Sequence, residues 1–242
     1  MHWMRFRDPA GAVRRGEYED GTVSFGGRTY DVEDVEVLPP AEPSKIVCVG
    51  RNYAAHAEER NAEIPDRPLL FLKPPNAVAS DGDTVTLPGD NYIEHEAEVA
   101  VVIGEQARNV DEEDAMDVVA GYTAADDVSN RTDQSEEQNW VRGKAFDGAC
   151  PLGPVLATPD EVPDDASVEL RVNGETRQTS SIEHFIFSVP ELIAEITEYM
   201  TLEPGDVIIT GTPEGVDKLE DGDSVEVEVE GVGTLSHDVE RR

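Results

Sequence analysis

The sequence has few cysteines and no long apolar run. Its 242 residues include only two cysteines, Cys48 and Cys150, which lie far apart and lack metal-ligand spacing. This count argues against a zinc site and against a disulfide framework, and it predicts two buried free thiols. No apolar stretch approaches the roughly 20 residues needed to cross a bilayer, and the N-terminus lacks the apolar core of a secretory signal. We therefore expect a cytoplasmic protein without a membrane partner.

Positive charge is also scarce. The chain has 53 acidic and 19 basic residues, a formal net charge of −34, and only four of the basic residues are lysines. A surface this negative repels phosphate, which argues against general nucleic-acid binding. Because the acidic residues are spread along the whole chain, we predict a halophilic protein that stays hydrated in concentrated salt. The alternative is an ordinary acidic mesophilic protein.

The order of apolar runs and turns predicts an α+β fold dominated by β-structure. Residues 1–40 show short strands separated by turns, which predicts a small N-terminal β module. A proline-rich linker at 39–43 then leads into a main domain over 44–242. Only residues 111–119 and 188–200 show helical signals, and the second has a Ser188–Glu191 capping box. Most other segments alternate like strands, and no βαβ rhythm is present.

Residues 93–104 form the first candidate site, because they read as a strand that carries acids into an apolar run. Glu94, Glu96 and Glu98 fall on one face by their spacing of two. Carboxylates crowded at the edge of a core repel one another and lose hydration, and a divalent cation relieves both costs. Oxygen ligands without cysteine favour Mg²⁺, Mn²⁺ or Ca²⁺. The alternative is a chance cluster in a chain that is rich in acids.

Three further segments contain candidate chemistry. His56 and Glu59 share one face of a helical turn, and a carboxylate-held histidine is a usable general base. Arg131 and Lys144 are candidates for holding an anionic substrate. The segment 210–216 follows a strand, and its glycines allow backbone N–H groups to approach a ligand. Each also has a simpler interpretation: a surface histidine beside a solvated acid, ordinary loop cations, and a plain turn.

Taken together and in order, these segments resemble the fumarylacetoacetate hydrolase family. The resemblance covers residues 45 to about 240, nearly the whole main domain. The matching elements are Gly50–Glu59, Phe71–Pro74, Glu96–Gly104, Gly121–Ser129, Lys144–Asp147, Pro151–Pro154 and Leu202–Val216.

The resemblance implies a β-rich roll of mixed sheets, in a homodimer or a dimer of dimers. Residues 1–40 are similar to a small β extension that some members carry. The resemblance also implies roles for nine residues. These are metal ligands for Mg²⁺ or Mn²⁺ (Glu96, Glu98, Asp127), a water-activating dyad (His56, Glu59), a lysine that stabilises negative charge (Lys144) and substrate contacts (Arg131, Gln134, Thr212).

The implied substrate is a small 2-oxo acid, and one site of this kind supports several reactions. We expect hydrolysis of the C–C bond of an acylpyruvate-like 2,4-dioxo acid, with decarboxylation of oxaloacetate or isomerisation of a dienol acid as alternatives. A non-catalytic metal- or metabolite-binding protein is the alternative from another class. Two stretches depart from the family pattern, at 130–132 and at 182–185. The second is expected at the substrate pocket or at a partner-subunit edge.

Overall fold

The computed structural model describes residues 1–241, and β-strands dominate it, as the sequence predicts. The strands belong to one sheet of twelve strands, one of five and one of two. In chain order they are β1 His2–Arg7, β2 Val13–Glu19, β3 Thr22–Phe25, β4 Arg28–Asp31, β5 Glu36–Leu38, β6 Ile46–Gly50, β7 Leu69–Lys73, β8 Val78–Ala79, β9 Thr84–Leu87, β10 Ile93–Glu94, β11 Ala97–Ile103, β12 Val119–Asp126, β13 Ser129–Asn130, β14 Cys150–Ala157, β15 Ser167–Val172, β16 Glu175–Ser181, β17 Val207–Ile209, β18 Ser224–Val229 and β19 Gly233–Arg241.

The twelve-stranded sheet includes both the N-terminal strands and the strands of the main domain. Its order is β4-β3-β2-β1-β14-β12-β11-β17-β6-β7, with β5 paired to β1 and β8 paired to β14. Strand β1 pairs antiparallel with β14 through His2 and Trp3, so residues 1–38 extend the large sheet through backbone hydrogen bonds. The division into two domains at residues 40–44 stays a prediction.

The main core lies between the large sheet and the five-stranded sheet, whose order is β16-β15-β18-β19-β9. Strand β11 shows how the sequence divides its two faces. Val99, Val101 and Ile103 belong to the main core, whereas Ala100 and Val102 pack into a second cluster on the opposite face. Because side chains alternate along a strand, Glu98 lies on the side of this second, smaller cluster.

In residues 1–241, four α-helices connect the strands: α1 Ala54–Glu59, α2 Arg131–Glu136, α3 Val141–Lys144 and α4 Val189–Tyr199. The predicted capping box of α4 is confirmed, since the Ser188 and Glu191 side chains each bond the other's backbone N–H. The helix buries Leu192, Ile193 and Ile196, as its apolar spacing indicates. At 11 residues it is the longest helix in the described part of the chain, where no helix is long and apolar enough to cross a membrane.

The predicted helix over 111–119 forms, but as a 3₁₀ helix and not as an α-helix. It covers Glu112–Val118, and Val119 is the first residue of β12, where it pairs with Ile103. The acidic residues at its beginning correctly indicated where the helix starts. The segment, however, has no apolar stripe that would hold an α-helix against the core. Its β-branched end therefore joins the sheet.

The prediction for the cysteines is confirmed. Cys48 and Cys150 are both free thiols and both fully buried in the second cluster. Burial also raises the pKa of each thiol, so neither is poised as a reactive thiolate.

Candidate active site

Eight of the nine predicted site residues line one small pocket at the edge of the large sheet. They are His56, Glu96, Glu98, Asp127, Arg131, Gln134, Lys144 and Thr212. The ninth, Glu59, lies behind His56 and contacts it. The pocket encloses about 230 Å³. Pockets for drug-sized ligands run from about 300 Å³ upward, so this one suits a small metabolite.

Three carboxylates lie at the floor of the pocket. One oxygen from each of Glu96, Glu98 and Asp127 lies within 4.8 Å of the others, and all three side chains are buried. Glu98 lies in β11, Glu96 just before it, and Asp127 directly after the neighbouring β12. The Asp127 N–H donates to the Glu96 carbonyl at 2.9 Å. This antiparallel pairing brings Asp127 next to two glutamates that precede it by 29 and 31 residues in the sequence.

Asp126 holds the backbone of Glu96 in place, although it does not line the pocket itself. Its side chain accepts a 2.7 Å hydrogen bond from the Glu96 N–H and lies 2.8 Å from Nε2 of buried His237 in β19. The five-stranded sheet therefore supports the position of Glu96 through a residue that does not line the pocket. The two adjacent acids of the Asp126-Asp127 pair thus have different partners.

The cations around the carboxylates are distributed unevenly. Lys144 Nζ lies 2.7 Å from Glu96 and 2.6 Å from Asp127, and Arg131 also contacts Glu96. Lys73 Nζ lies 2.7 Å from the other oxygen of Asp127. Within the described residues, Glu98 has no cation partner and instead accepts a 2.5 Å hydrogen bond from the Gly211 N–H.

This imbalance separates the pKa values of the two glutamates. Burial alone would raise the pKa of Glu96, but Arg131 and Lys144 outweigh it and hold that pKa well below the usual range. Burial raises the pKa of Glu98 well above its usual range, and nearby Asp127 and Glu96 raise it further. Glu98 is therefore the carboxylate that most needs a bound cation in order to stay charged.

The site fits a divalent cation. Its candidate donors are all carboxylate oxygens, the chemistry that Mg²⁺ and Mn²⁺ prefer, and no cysteine contributes. Glu98 supplies a buried carboxyl whose charge no described side chain neutralises. A cation held by Glu96, Glu98 and Asp127 would remove that cost.

His56 and Glu59 form a hydrogen-bonded pair beside the carboxylates. His56 Nδ1 lies 3.1 Å from Glu59 Oε2, and the other Glu59 oxygen accepts a 3.0 Å hydrogen bond from the Gly215 N–H. Burial lowers the pKa of His56, although Glu96 and Glu59 act in the opposite direction. The imidazole is therefore neutral at neutral pH, the form in which it can accept a proton.

The sequence left two readings of segment 210–216, a plain turn or a loop whose N–H groups approach a ligand; in the structure two of its N–H groups bind candidate site residues. The Gly211 N–H bonds Glu98 and the Gly215 N–H bonds Glu59. Both glycines have left-handed backbones, with φ of +101° and +94°, and a Cβ at Gly215 would lie 2.2 Å from a backbone oxygen. The requirement for glycine here is therefore close approach between protein segments.

Sequence reasoning missed several residues of the site. Arg51 and Arg60 line the pocket beside Arg131, and Glu94 binds both Arg60 and Arg131. Lys73 was one of only four lysines, and this scarcity was the signal that could have identified it. Glu94 was grouped with the possible ligands, but it lies outside the carboxylate group and neutralises arginines instead.

Comparison with known proteins accounts for this arrangement. Residues 45–240 match the family model described as fumarylacetoacetate (FAA) hydrolase C-terminal. The chain belongs to the fumarylacetoacetate hydrolase family. Oxaloacetate tautomerase YisK of Bacillus subtilis is 40% identical over 230 residues, covering 89% of this chain and 78% of that protein.

Two solved structures show the same fold. The 2-hydroxyhepta-2,4-diene-1,7-dioate isomerase from Mycobacterium marinum is 36% identical with a TM-score of 0.92, over 100% of this chain and 99% of that one. Fumarylpyruvate hydrolase from Pseudomonas aeruginosa, in complex with Mn²⁺ and pyruvate, is 31% identical with a TM-score of 0.78 and covers 93% and 99% of the two chains. The family is thus established, while its named members differ in the reaction they catalyse.

The two departures from the family pattern lie at the margin of the pocket. Asn130 caps α2 by accepting a hydrogen bond from the Asp133 N–H, and Thr132 accepts one from the Tyr92 N–H. In the second departure, Phe185 packs edge-on against Tyr53, just before α1, at 5.1 Å between ring centroids. Within the described chain no residue of 182–185 lines the pocket, and Phe185, through its contact with Tyr53, supports the helix that holds His56.

Proposed function

We propose that this protein is a divalent-metal-dependent enzyme that interconverts the enol and keto forms of a small 2-oxo acid of the oxaloacetate type. The observation that carries the proposal is the placement of a buried carboxylate triad and a neutral, carboxylate-held histidine around one pocket of about 230 Å³. A metal site and a general base in one small cavity are the components that this chemistry needs.

Charge supports an anionic substrate. Four cations line the pocket, namely Arg51, Arg60, Arg131 and Lys144, in a chain that has only 19 basic residues against 53 acidic ones. The three acids of the triad would be neutralised in part by a bound divalent cation, which leaves the pocket positive within a strongly negative protein. A small dicarboxylate matches both this charge and the limited volume.

Each residue then has a definite task. A divalent cation held by Glu96, Glu98 and Asp127 would supply a Lewis acid that stabilises negative charge on the substrate oxygens. Arg131 holds a substrate carboxylate, and Lys144 adds positive charge beside the oxygen that becomes negative. To form the enol, His56 Nε2 removes a proton from the carbon next to the 2-oxo group and delivers it to the 2-oxo oxygen. To form the keto acid, it takes the enol O–H proton and delivers it to that carbon, while Glu59 holds Nδ1. The 40% identity to an oxaloacetate tautomerase supports this assignment.

Hydrolysis of an acylpyruvate is the second candidate, and the His56–Glu59 pair favours it. In that reaction His56 takes a proton from water, and the oxygen attacks the carbonyl remote from the carboxylate. The C–C bond breaks, a carboxylic acid leaves, and the pyruvate enolate takes up the proton. The fold shared with a fumarylpyruvate hydrolase supports this candidate. Decarboxylation of oxaloacetate forms the same enolate without attack by water.

One assay separates these reactions. Purified protein in multimolar KCl with Mg²⁺ is given freshly dissolved enol oxaloacetate, and separately an acylpyruvate, while enol absorbance, pyruvate and CO₂ are followed. Tautomerisation consumes the enol of oxaloacetate without forming pyruvate. Decarboxylation yields pyruvate and CO₂, and hydrolysis yields pyruvate from the acylpyruvate alone. No reaction with either substrate in folded, metal-loaded protein would overturn the proposal in favour of a binding protein or a dienol isomerase.

A further inference from the structure

Gln178 is a buried side chain that links the five-stranded sheet to both sides of the candidate site. It lies in β16, is 1% exposed and does not line the pocket. Its Oε1 lies 2.9 Å from the Ala97 N and 3.0 Å from His95 Nδ1, the residues on either side of Glu96. Its Nε2 lies 2.7 Å from Thr212 Oγ1 and 2.9 Å from the Pro213 carbonyl.

Two backbone partners fix which way this amide points. The Ala97 N–H can only donate, so the atom facing it must be the side-chain oxygen. The Pro213 carbonyl can only accept, so the atom facing it must be the side-chain nitrogen. A flipped amide would lose both hydrogen bonds and leave two buried backbone groups without partners, so the observed orientation is fixed.

The fixed amide determines the hydrogen-bonding role of its other two partners. His95 Nδ1 must donate to the amide oxygen. Thr212 Oγ1 must accept from the amide nitrogen, so its own O–H proton has to point elsewhere. Thr212 is 3% exposed and lines the pocket, and no described residue accepts a hydrogen bond from its hydroxyl.

We propose that Gln178 is a positioning residue that turns the Thr212 hydroxyl into a hydrogen-bond donor aimed at the substrate. The proposal rests on the proposed function, because it is the anionic 2-oxo acid that would accept this bond. Gln178 acts from outside the pocket and does not touch the ligand. It only determines the direction in which the Thr212 hydroxyl donates its hydrogen bond. The same amide holds Ala97 and His95, so Thr212 is kept in a fixed position relative to the segment that carries Glu96.

A double-mutant cycle tests the proposal through binding alone. The variants are Thr212→Val, Gln178→Met and the combination of both, and the probe is oxalate, whose oxygens mimic a carboxylate and an adjacent 2-oxo group. Calorimetry measures oxalate affinity for the Mg²⁺-loaded proteins, and Mg²⁺ affinity and Tm are measured in parallel. Thr212→Ser, which keeps the hydroxyl, is the matched control and should bind oxalate like the parent protein.

We expect Thr212→Val to weaken oxalate binding about tenfold, the effect of losing one hydrogen bond to a charged group. Gln178→Met should weaken it severalfold on its own and have no further effect once Thr212 is valine. Both effects should appear without a matching loss of Mg²⁺ affinity. If Gln178→Met instead weakens binding equally in both backgrounds, it acts through general structure and the proposal is overturned.

A second variant checks the polarity directly. Measured at a pH where its carboxyl is ionised, Gln178→Glu places an acceptor where the amide nitrogen stood, so the Thr212 hydroxyl would donate to that carboxylate instead of to the ligand. Its loss of oxalate affinity should match that of Thr212→Val and exceed that of Gln178→Met. Oxalate affinity unchanged by Thr212→Val, or oxalate that does not bind the parent protein, would contradict the inference. If the four proteins show the expected oxalate affinities but the parent converts no 2-oxo acid, only the proposed function is refuted.

Discussion

At the scale of single residues, the site is a balance of buried charges. Lys144, Lys73 and Arg131 compensate Glu96 and Asp127, whereas Glu98 has only a backbone N–H as its partner. Without a cation the charged form of Glu98 is therefore costly, and with a cation it becomes a ligand. The Glu98 carboxylate should thus lower the folding stability of the metal-free protein and raise that of the cation-bound protein.

Glu98→Gln tests this reversal. A pKa raised in the folded state means that the metal-free protein loses stability as pH rises above the pKa of the unfolded chain, near 4.5. In EDTA at pH 8 the amide should therefore be more stable than the parent carboxylate. With Mg²⁺ at 100 times its Kd the parent should gain about 2.7 kcal/mol, roughly 5–10 °C in Tm, which the variant lacks. Equal Mg²⁺-induced shifts in both proteins would exclude Glu98 as a ligand.

The neutral imidazole of His56 gives a second prediction. His56→Ala should slow catalysis by about 10²-fold or more, because it removes the general base, while Mg²⁺ binding is retained. The parent kcat/KM should fall only as pH drops below about 6.5, since burial lowers the pKa of His56 and the protonated ring cannot act as a base. His184→Ala, at an exposed histidine, is the control and should leave the rate unchanged. A rate that survives the loss of His56 would remove this residue from the mechanism.

At the scale of elements, local sequence patterns predicted helices and strands correctly where local interactions determine them. The capping box of α4 is local and was predicted correctly. The alternating pattern that predicted strands is also local, and in β18 it matches the burial of every valine. The segment 111–119 has the start signal of a helix but forms only a 3₁₀ helix that ends at Val118, because Val119 pairs with Ile103 in a long-range contact. Gln178 could not be found from sequence, since only the packing of two sheets brings it to His95 and Thr212.

Ser188→Ala tests the cap that starts α4. It removes the side-chain acceptor for the Glu191 N–H and one half of the capping box. The free energy of unfolding should fall by about 1 kcal/mol, or about 2–4 °C in Tm for a chain of this size. Ser188→Thr keeps the cap and should stay close to the parent in the same thermal melts. A Tm unchanged by the alanine would show that packing of the buried face alone holds the helix.

At the scale of the whole molecule, the net charge of −34 sets the conditions under which the fold persists. Self-repulsion of this size is screened only when the Debye length falls from about 10 Å at 0.1 M salt to about 3 Å at 1 M. A salt-requiring protein and a homodimer or dimer of dimers both stay predictions. Neither depends on the roles proposed for the site residues.

Salt dependence of Tm checks the charge argument. We expect Tm to rise steadily as KCl increases from 0.2 to 3 M, because screening relieves repulsion in the folded state. Glu112→Gln combined with Glu113→Gln removes two exposed acids from one surface segment. This double variant should raise Tm at low salt and have little effect at 3 M KCl. A Tm independent of KCl would identify an ordinary acidic protein.

The central claim is that the carboxylate triad and His56 work together as a metal-dependent centre for 2-oxo acids. The most direct test is the initial rate of loss of enol oxaloacetate in multimolar KCl, measured against Mg²⁺ concentration in the parent protein and in Glu98→Gln. The account predicts a rate that saturates with Mg²⁺ in the parent, returns to the uncatalysed value in EDTA, and stays at that value in the variant. A rate that is independent of Mg²⁺, or equal in the two proteins, would contradict it.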